Sequence, residues 1–331
     1  MNRRIRDFLL YCETVNFGKA ELSRLESAFY KRLNSQIPSL CRSLPESVQT
    51  DSMLFLMKYS GVNLGDELDF FANYYSPTWS IVYWLSQNCS LPARRLKKKD
   101  VASAITAQSM AMLLHSLDDH LTDHQLSISP LNLFLRSQAW TIMNRAFHSL
   151  AEGVPTGERT VRNFIGEYYS SIRDSKEPKS FDSYCDLFRR QMGIGMVAPI
   201  LLSMKMTGTS DFAKDVGNAY GSFGIAWRLL DDIRDISRDM KKGAHSSVYL
   251  CLPKKVKTHW NNHNSKSRAA AKNSLITVLN HIQEYRLIEK IKERICTELE
   301  AAASIVEAHG LKGLSKEFKC LAHPLRNSGS T

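Results

Sequence analysis

Two groups of aspartates stand out because each lies in an otherwise apolar run. The first is Leu113-Leu114-His115-Ser116-Leu117-Asp118-Asp119-His120-Leu121-Thr122-Asp123. The second is Trp227-Arg228-Leu229-Leu230-Asp231-Asp232-Ile233-Arg234-Asp235-Ile236-Ser237-Arg238-Asp239. On a helix Asp119 and Asp123 share a face with Asp118 beside them, while Asp231, Asp235 and Asp239 stack at i, i+4 and i+8. A single Asp-Asp pair is ordinarily a solvated acid near a helix end. Here stacked like charges repel, Asp is a poor helix former, and both groups follow runs that read as buried, where unpaired carboxylates are costly. A hard cation removes all three difficulties. Ligands that are all oxygen, with no Cys and no required His, fit Mg²⁺ rather than zinc or copper. Mg²⁺ takes one or two carboxylates per ion and leaves other positions to water and substrate phosphates. The expected metal ligands are Asp118, Asp119, Asp123, Asp231, Asp232, Asp235 and Asp239, clasping a diphosphate between the two clusters.

The elements that must position them are helical. Apolar residues recur at helical spacing nearly throughout, and strand-like alternation is hard to find. The pattern predicts helices over 18–34, 65–74, 77–87, 98–125, 130–151, 157–175, 180–207, 209–241, 264–282 and 284–309. Breaks fall at Pro38 and Pro45, Ser76-Pro77, Ser129-Pro130, Pro155 to Gly157, Pro178 and Gly208. Val101 to Leu117 is apolar on almost every face, as befits a helix inside a bundle. The fold expected is all-α, a single-domain helical bundle around a central active-site cavity. In it residues 1–60 form an N-terminal helical extension packed on the core, 61–326 the catalytic domain, and 327–331 a disordered tail. The stretch Gly243 to Lys266, rich in His, Asn, Ser and Lys, is the least helical and a candidate lid.

The chain has 331 residues, 43% hydrophobic and 23% charged, ordinary for a globular protein with a substantial core. No apolar run approaches the ~18–20 residues of a membrane span, and the basic start is not followed by a signal-peptide core. Seven scattered cysteines without a Cys-x-x-Cys pair suggest neither a zinc site nor a disulfide framework, so a cytoplasmic location is expected. The net charge of +11 would suit nucleic acid, an anionic membrane surface or a polyanionic substrate. The runs Arg94-Arg95-Leu96-Lys97-Lys98-Lys99 and Lys254-Lys255-Val256-Lys257 lack interleaved aromatics, so they read as solvated loops and no nucleic-acid partner is expected.

These residues resemble a known superfamily, the class I isoprenoid synthases. Asp118-Asp119-x-x-x-Asp123 resembles the first aspartate-rich motif of trans-prenyltransferases and class I terpene synthases. Asp231-Asp232-x-x-Asp235 resembles the second motif of the chain elongation enzymes, and Asp231, Asp235 and Asp239 match the spacing of the terpene cyclase metal triad. Arg234-Asp235, Asp239, Gly243 and Tyr249 to Pro253 are similar to squalene and phytoene synthases. The span from Asp118 to Asp231 is shorter than these families usually show.

The resemblance implies an Mg²⁺-dependent enzyme acting on an allylic prenyl diphosphate, with three Mg²⁺ ions when diphosphate is bound. It makes Asp118, Asp119, Asp231 and Asp235 the catalytic residues. Arg189 with Gly193 resembles the diphosphate-sensing Arg and helix-breaking Gly of bacterial cyclases, with Arg190 alongside; Arg234 and Lys242 are further candidates for the leaving group. Phe223 and Trp227, eight and four residues before Asp231, are expected to line an apolar pocket beneath the metals and stabilise a carbocation. Chain elongation enzymes carry a Gly-Lys-Arg-x-Arg-Pro segment before the first motif and Arg-Arg-Gly after it. Here Ala72 to Trp79 holds no basic residue, and His124-Gln125-Leu126-Ser127 follows the first motif. The expectation is therefore a terpene synthase that cyclises or quenches one polyprenyl diphosphate. The alternatives are chain elongation, head-to-head condensation and a non-catalytic subunit. A homodimer and peripheral membrane contact are both compatible with this reading.

Overall fold

The computed structural model describes residues 3–63, 65–88, 96–173, 177–262 and 268–327. Among these no strand occurs, and seventeen helical segments succeed one another. They are α1 (Arg3–Thr14), α2 (Arg24–Asn34), α3 (Gln36–Arg42), α4 (Glu46–Ser60), α5 (Pro77–Gln87), α6 (Lys98–Thr122), α7 (Pro130–Ala151), α8 (Gly157–Arg173) and α9 (Phe181–Gln191). There follow α10 (Gly193–Thr207), α11 (Asp211–Arg234), α12 (Ile236–Lys242), α13 (Ser247–Cys251), α14 (Lys254–Asn261), α15 (Arg268–Glu284), α16 (Leu287–Ala308) and α17 (Lys312–Asn327).

The two helices that carry the acidic clusters form the interior. α6 is buried from Ala107 to Leu114 on successive positions, and α11 from Ala219 to Ala226, so neither has a solvent face along those stretches. α6 packs along α7 and α10, while α11 packs along α10 and α16, with α17 on the outer side of α16. One core runs through the chain: Ile5, Leu9, Phe29 and Leu33 from the first sixty residues join the same cluster as Leu114, Ile233 and Phe318.

Local chemistry fixes the helix starts. The Ser23 hydroxyl accepts the Glu26 N–H while the Glu26 carboxylate accepts the Ser23 N–H, a reciprocal cap on α2. Ser129 caps α7 with Pro130 in the first turn. α4 ends at Gly61, whose φ of 73° is a left-handed conformation that favours glycine.

The departures from the expected helices have local causes. Residues 65–74 form turns, because Asp66 and Asp69 accept the backbone N–H groups of Asn63 and Phe71 and draw the chain away from helix. The Asn34 amide oxygen also takes the Phe70 N–H at 2.7 Å. The expected 180–207 helix divides at Met192 and the 209–241 helix at Asp235, each in a non-helical or terminal conformation. α13, α14 and α17 were not expected as helices, and α1, α3 and α4 were expected only as part of the helical extension over 1–60, without bounds of their own. Several are short, hold Pro38 or Pro324, or begin directly after Pro45, and proline dominates the local signal. The Gly243 to Lys266 stretch contains α13 and α14 rather than an open loop. Residues 263–266, like Cys89, Arg94, Arg95 and the tail 328–331, lie outside the described residues.

α5 and α17 are bolted together by a buried carboxylate. Glu317 accepts the hydroxyls of Ser76 and Ser80 at 2.7 Å each and the indole N–H of Trp84, and burial pushes its carboxyl upward. Trp84 lies directly over Gly313, where an added Cβ would stand 2.0 Å from the ring. Gly313→Ala is therefore expected to lower the melting temperature by several degrees, from an overpacking cost of about 1–3 kcal/mol. Calorimetry would check it; an unchanged melting temperature would contradict this packing.

Candidate active site

Six of the seven aspartates of the two clusters line one cavity of about 810 Å³, with Asp119 and Asp123 on one wall and Asp231, Asp232, Asp235 and Asp239 on the other. Lys242 at the end of α12 crosses between the walls and places its Nζ 3.3 Å from Asp123 Oδ2. The facing arrangement follows from helix packing: α6 and α11 are the two interior helices and both present their C-terminal ends to the same mouth.

Each cluster contains one aspartate turned inward and held. Both oxygens of Asp118 are bound by Arg136 of α7, at 2.6 and 2.9 Å, in the bidentate fork that suits a carboxylate. Tyr168 of α8 donates to the same group at 3.0 Å. On the other wall Asp232 is held by Arg228 at 3.1 Å, by the Tyr184 hydroxyl at 3.0 Å and by the Ser247 N–H at 2.8 Å. The two clamps share a design of one Asp, one Arg and one Tyr. Asp118 lines a side cavity of about 100 Å³ rather than the main one. The carboxylates left open to the main cavity without such a clamp are Asp119, Asp123, Asp231, Asp235 and Asp239.

The electrostatics of the open group are unfavourable without a cation. Burial pushes the Asp231 carboxyl to about 7, with Arg228 and Arg234 opposing the rise. Burial, joined by the Asp232 charge, likewise pushes Asp239 to about 7. Asp235 is raised for the same first reason, with Arg238 opposing. No group of three or more His, Cys, Asp or Glu among the described residues is close enough to cage an ion alone. Carboxylates spread over two walls fit Mg²⁺, which keeps most of its coordination positions for water and phosphate oxygens. They do not fit a preformed all-protein metal cage.

The cations at the cavity come from one stretch. Arg228, Arg234, Arg238, Lys241 and Lys242 all line it. Four of them are within salt-bridge reach of a carboxylate, namely Asp232, Asp231, Asp235 and Asp123 respectively. Arg189 and Arg190, expected to sense diphosphate, are not among the lining residues; Arg189 pairs with Asp186 at 3.3 Å and lays its side chain against Gly221 of α11. Gly193 packs against Phe164 and Tyr168, where an added Cβ would meet the Phe164 carbonyl at 3.3 Å. Phe223 is fully buried between Trp227 and Phe318 and does not reach a cavity. Trp227 does.

Beneath the acidic mouth lies a second cavity of about 240 Å³, reached between Asp119 and Asp231. Its walls include Tyr59, Phe70, Tyr74, His115 and Trp227. Burial lowers the His115 imidazole, with Asp119 opposing. Arg228 lines the mouth, the side cavity and this inner cavity together. The sequence reading passed over Arg228, although its place four residues before Asp232 was a usable signal. Arg136, Tyr168 and Tyr184 gave no sequence signal, because they come from helices without acidic motifs.

No family model matches the sequence, and no curated protein matches it. Solved structures do match in fold. The polyprenyl synthase of Caulobacter crescentus, solved with calcium and isoprenyl diphosphate, superposes with a TM-score of 0.60 at 12% identity, over 90% of this chain and 95% of that one. The octaprenyl pyrophosphate synthase of Helicobacter pylori gives 0.58 at 11% identity, over 90% and 99%. The geranylgeranyl pyrophosphate synthetase of the archaeon Geoglobus acetivorans gives 0.57 at 14%, over 91% and 99%. The chain thus shares the all-α fold of these solved prenyl diphosphate synthases. The likeness runs across nine-tenths of the chain.

The raised carboxyls give a pH prediction. A carboxyl held near 7 in the folded protein and near 4 when unfolded stabilises fully at low pH and loses that contribution as pH rises through 7. Asp239→Asn mimics the protonated form. It is expected to raise the melting temperature of the metal-free protein by a few degrees above pH 7, at about 2–4 °C per kcal/mol. The gain should shrink as pH falls toward 4. A melting-temperature series across pH tests this, and a loss of stability at pH 8 would contradict it.

Proposed function

We propose that this chain is an Mg²⁺-dependent prenyltransferase that ionises an allylic prenyl diphosphate and passes the prenyl cation to a carbon acceptor. The observation that carries the reading is the facing of Asp119 and Asp123 with Asp231, Asp235 and Asp239 across one cavity. These five are the proposed metal ligands. Asp118 and Asp232 are assigned instead to positioning, since their oxygens are taken by Arg136, Tyr168, Arg228 and Tyr184. Mg²⁺, when bound, supplies the Lewis-acid charge that stabilises a departing diphosphate.

The chain's own residues orient and shield. Arg228, Arg234 and Lys242 stand at the cavity to receive phosphate oxygens once the carboxylates engage cations, and a guanidinium fork suits two oxygens at once. The prenyl chain enters the inner cavity, where Trp227 and Tyr74 offer ring faces to a developing cation. Exclusion of water there protects the cation from quenching.

Chain elongation is supported by the neighbours, whose names are those of prenyl diphosphate synthases. The terpene synthase reading has one observation in its favour. The wall of the inner cavity formed by Ser60, Phe70, Asn73 and Tyr74 carries no cation that could hold a second diphosphate. Product analysis with and without isopentenyl diphosphate separates the two. A longer diphosphate made only with isopentenyl diphosphate is expected for prenyl transfer; a hydrocarbon or alcohol from the allylic substrate alone would reverse the choice.

Asp119→Ala and Asp235→Ala are each expected to lower Mg²⁺-dependent pyrophosphate release by at least about 100-fold, in the range lost when a transition-state charge partner is removed. Helical content by circular dichroism should persist. Wild-type rates in either variant would remove the metal assignment.

A further inference from the structure

The inner cavity carries one basic side chain that the fold itself does not use. His115, on α6 one turn before Asp119, lines the inner cavity, the side cavity beside Asp118 and a void of about 10 Å³ beneath them. No other residue lines all three. Among the described residues neither ring nitrogen of His115 has a hydrogen-bond partner. The other groups there that could take a proton are engaged. His120 Nδ1 shares a hydrogen bond of 2.7 Å with the Tyr59 hydroxyl, which also meets the Ser116 hydroxyl at 2.7 Å. The Tyr74 hydroxyl donates to the Met112 carbonyl at 2.6 Å. Asp119 and Asp231 stand at the mouth as proposed metal ligands. An interior imidazole without a partner has a cost that a bound ligand removes. Burial lowers this imidazole, against the opposing charge of Asp119, and so leaves a ring nitrogen with a free lone pair.

We propose that His115 is the general base that ends the reaction, taking the proton that the coupled carbocation must lose. The inference rests on the proposed function and adds a catalytic residue to it. The electron count requires a proton acceptor. The allylic C–O bond breaks, and its electron pair leaves with the diphosphate. The double bond of the carbon acceptor supplies the pair for the new C–C bond, which leaves a tertiary cation. The neighbouring C–H bond then breaks, its electrons form the new double bond, and the proton passes to the unprotonated ring nitrogen of His115. Water takes that proton from the imidazolium once the product leaves. The departing diphosphate is the competing acceptor. It stays at the mouth among Arg228, Arg234 and Lys242, whose positive charge makes its oxygens poorer bases. Trp227 and Tyr74, whose ring faces meet the developing cation, share both the inner cavity and the void with His115. His115 therefore borders the space in which the proton is lost.

Kinetics of His115→Gln and His115→Ala test this, with an allylic diphosphate, Mg²⁺ and isopentenyl diphosphate carrying hydrogen or deuterium at C2. Each variant is expected to lose at least about 100-fold in kcat, the range of general-base catalysis. Mg²⁺-dependent pyrophosphate binding, read by calorimetry, should change little, and His115→Asn stands in for a variant that does not fold. The isotope effect on kcat should be larger in the variants than in the wild type, because proton loss becomes the slow step. Added imidazole should restore His115→Ala at least about tenfold, within the same range, and leave His115→Gln unchanged, since only the smaller side chain leaves room for the ring. A packing role would give neither the isotope effect nor the rescue. Wild-type kcat in the variants, or a loss with neither of those signatures, overturns the inference and leaves the proposed reaction standing, with the diphosphate as base. If the allylic substrate alone gives a hydrocarbon, elongation is removed and the base is read from the alkene-to-alcohol ratio. His115→Gln should then shift that ratio toward alcohol about tenfold, and an unchanged ratio overturns the assignment. A wild type that releases no pyrophosphate from any allylic diphosphate overturns both the reaction and the base.

Discussion

Like charges held close together repel, and this chain arranges seven acidic side chains around one cavity: Glu13, Asp119, Asp123, Asp231, Asp232, Asp235 and Asp239. Everything else about the interior can be read as a response to that repulsion. Lys242 spans the walls to Asp123, and Arg228, Arg234 and Arg238 each sit against an acid on their own helix turn. Burial adds its own cost, pushing the Asp231 and Asp239 carboxyls up to about 7. A binding site is often the place where a fold tolerates such a cost, since the ligand's charge removes it. A divalent cation brings the missing charge, and a diphosphate completes the cation's coordination.

The two clamps explain how the open acids stay where they are. Asp118 and Asp232 are neighbours in sequence of Asp119 and Asp231, so fixing one fixes the other. Arg136 and Tyr168 anchor the first from α7 and α8; Arg228, Tyr184 and the start of α13 anchor the second. Removing one partner of such a buried pair leaves an uncompensated charge and costs more than the pair itself contributes. The doubled aspartates thus divide the labour, one facing inward to the scaffold and one outward to the cavity.

Much of this was legible before the structure. Apolar character on almost every face of the Val101 to Leu117 stretch, and acids at helical spacing at its end, placed the first cluster inside a bundle. The second cluster followed from the same pattern at Asp231, Asp235 and Asp239. What periodicity could not give was direction. Phe223 and Trp227 share a helical face with Asp231 by spacing, yet a neighbouring ring, Phe318 of α17, draws Phe223 into the core. Arg189 was placed correctly on a helix but lies outside the cavity, its side chain pairing with Asp186 and resting on Gly221 of α11. Tyr74, which lines the inner cavity, was hidden for a different reason: it lies in a turn, where side chains follow tertiary contacts rather than any period.

The central claim is that the two walls act together, through divalent ions, on one diphosphate. Isothermal titration of inorganic pyrophosphate into the protein tests it most directly. Binding is predicted only when Mg²⁺ is present, with an affinity that rises with pH through 7 as Asp231 and Asp239 release protons. Binding of equal strength in the presence of a chelator, or none with Mg²⁺, would contradict the account.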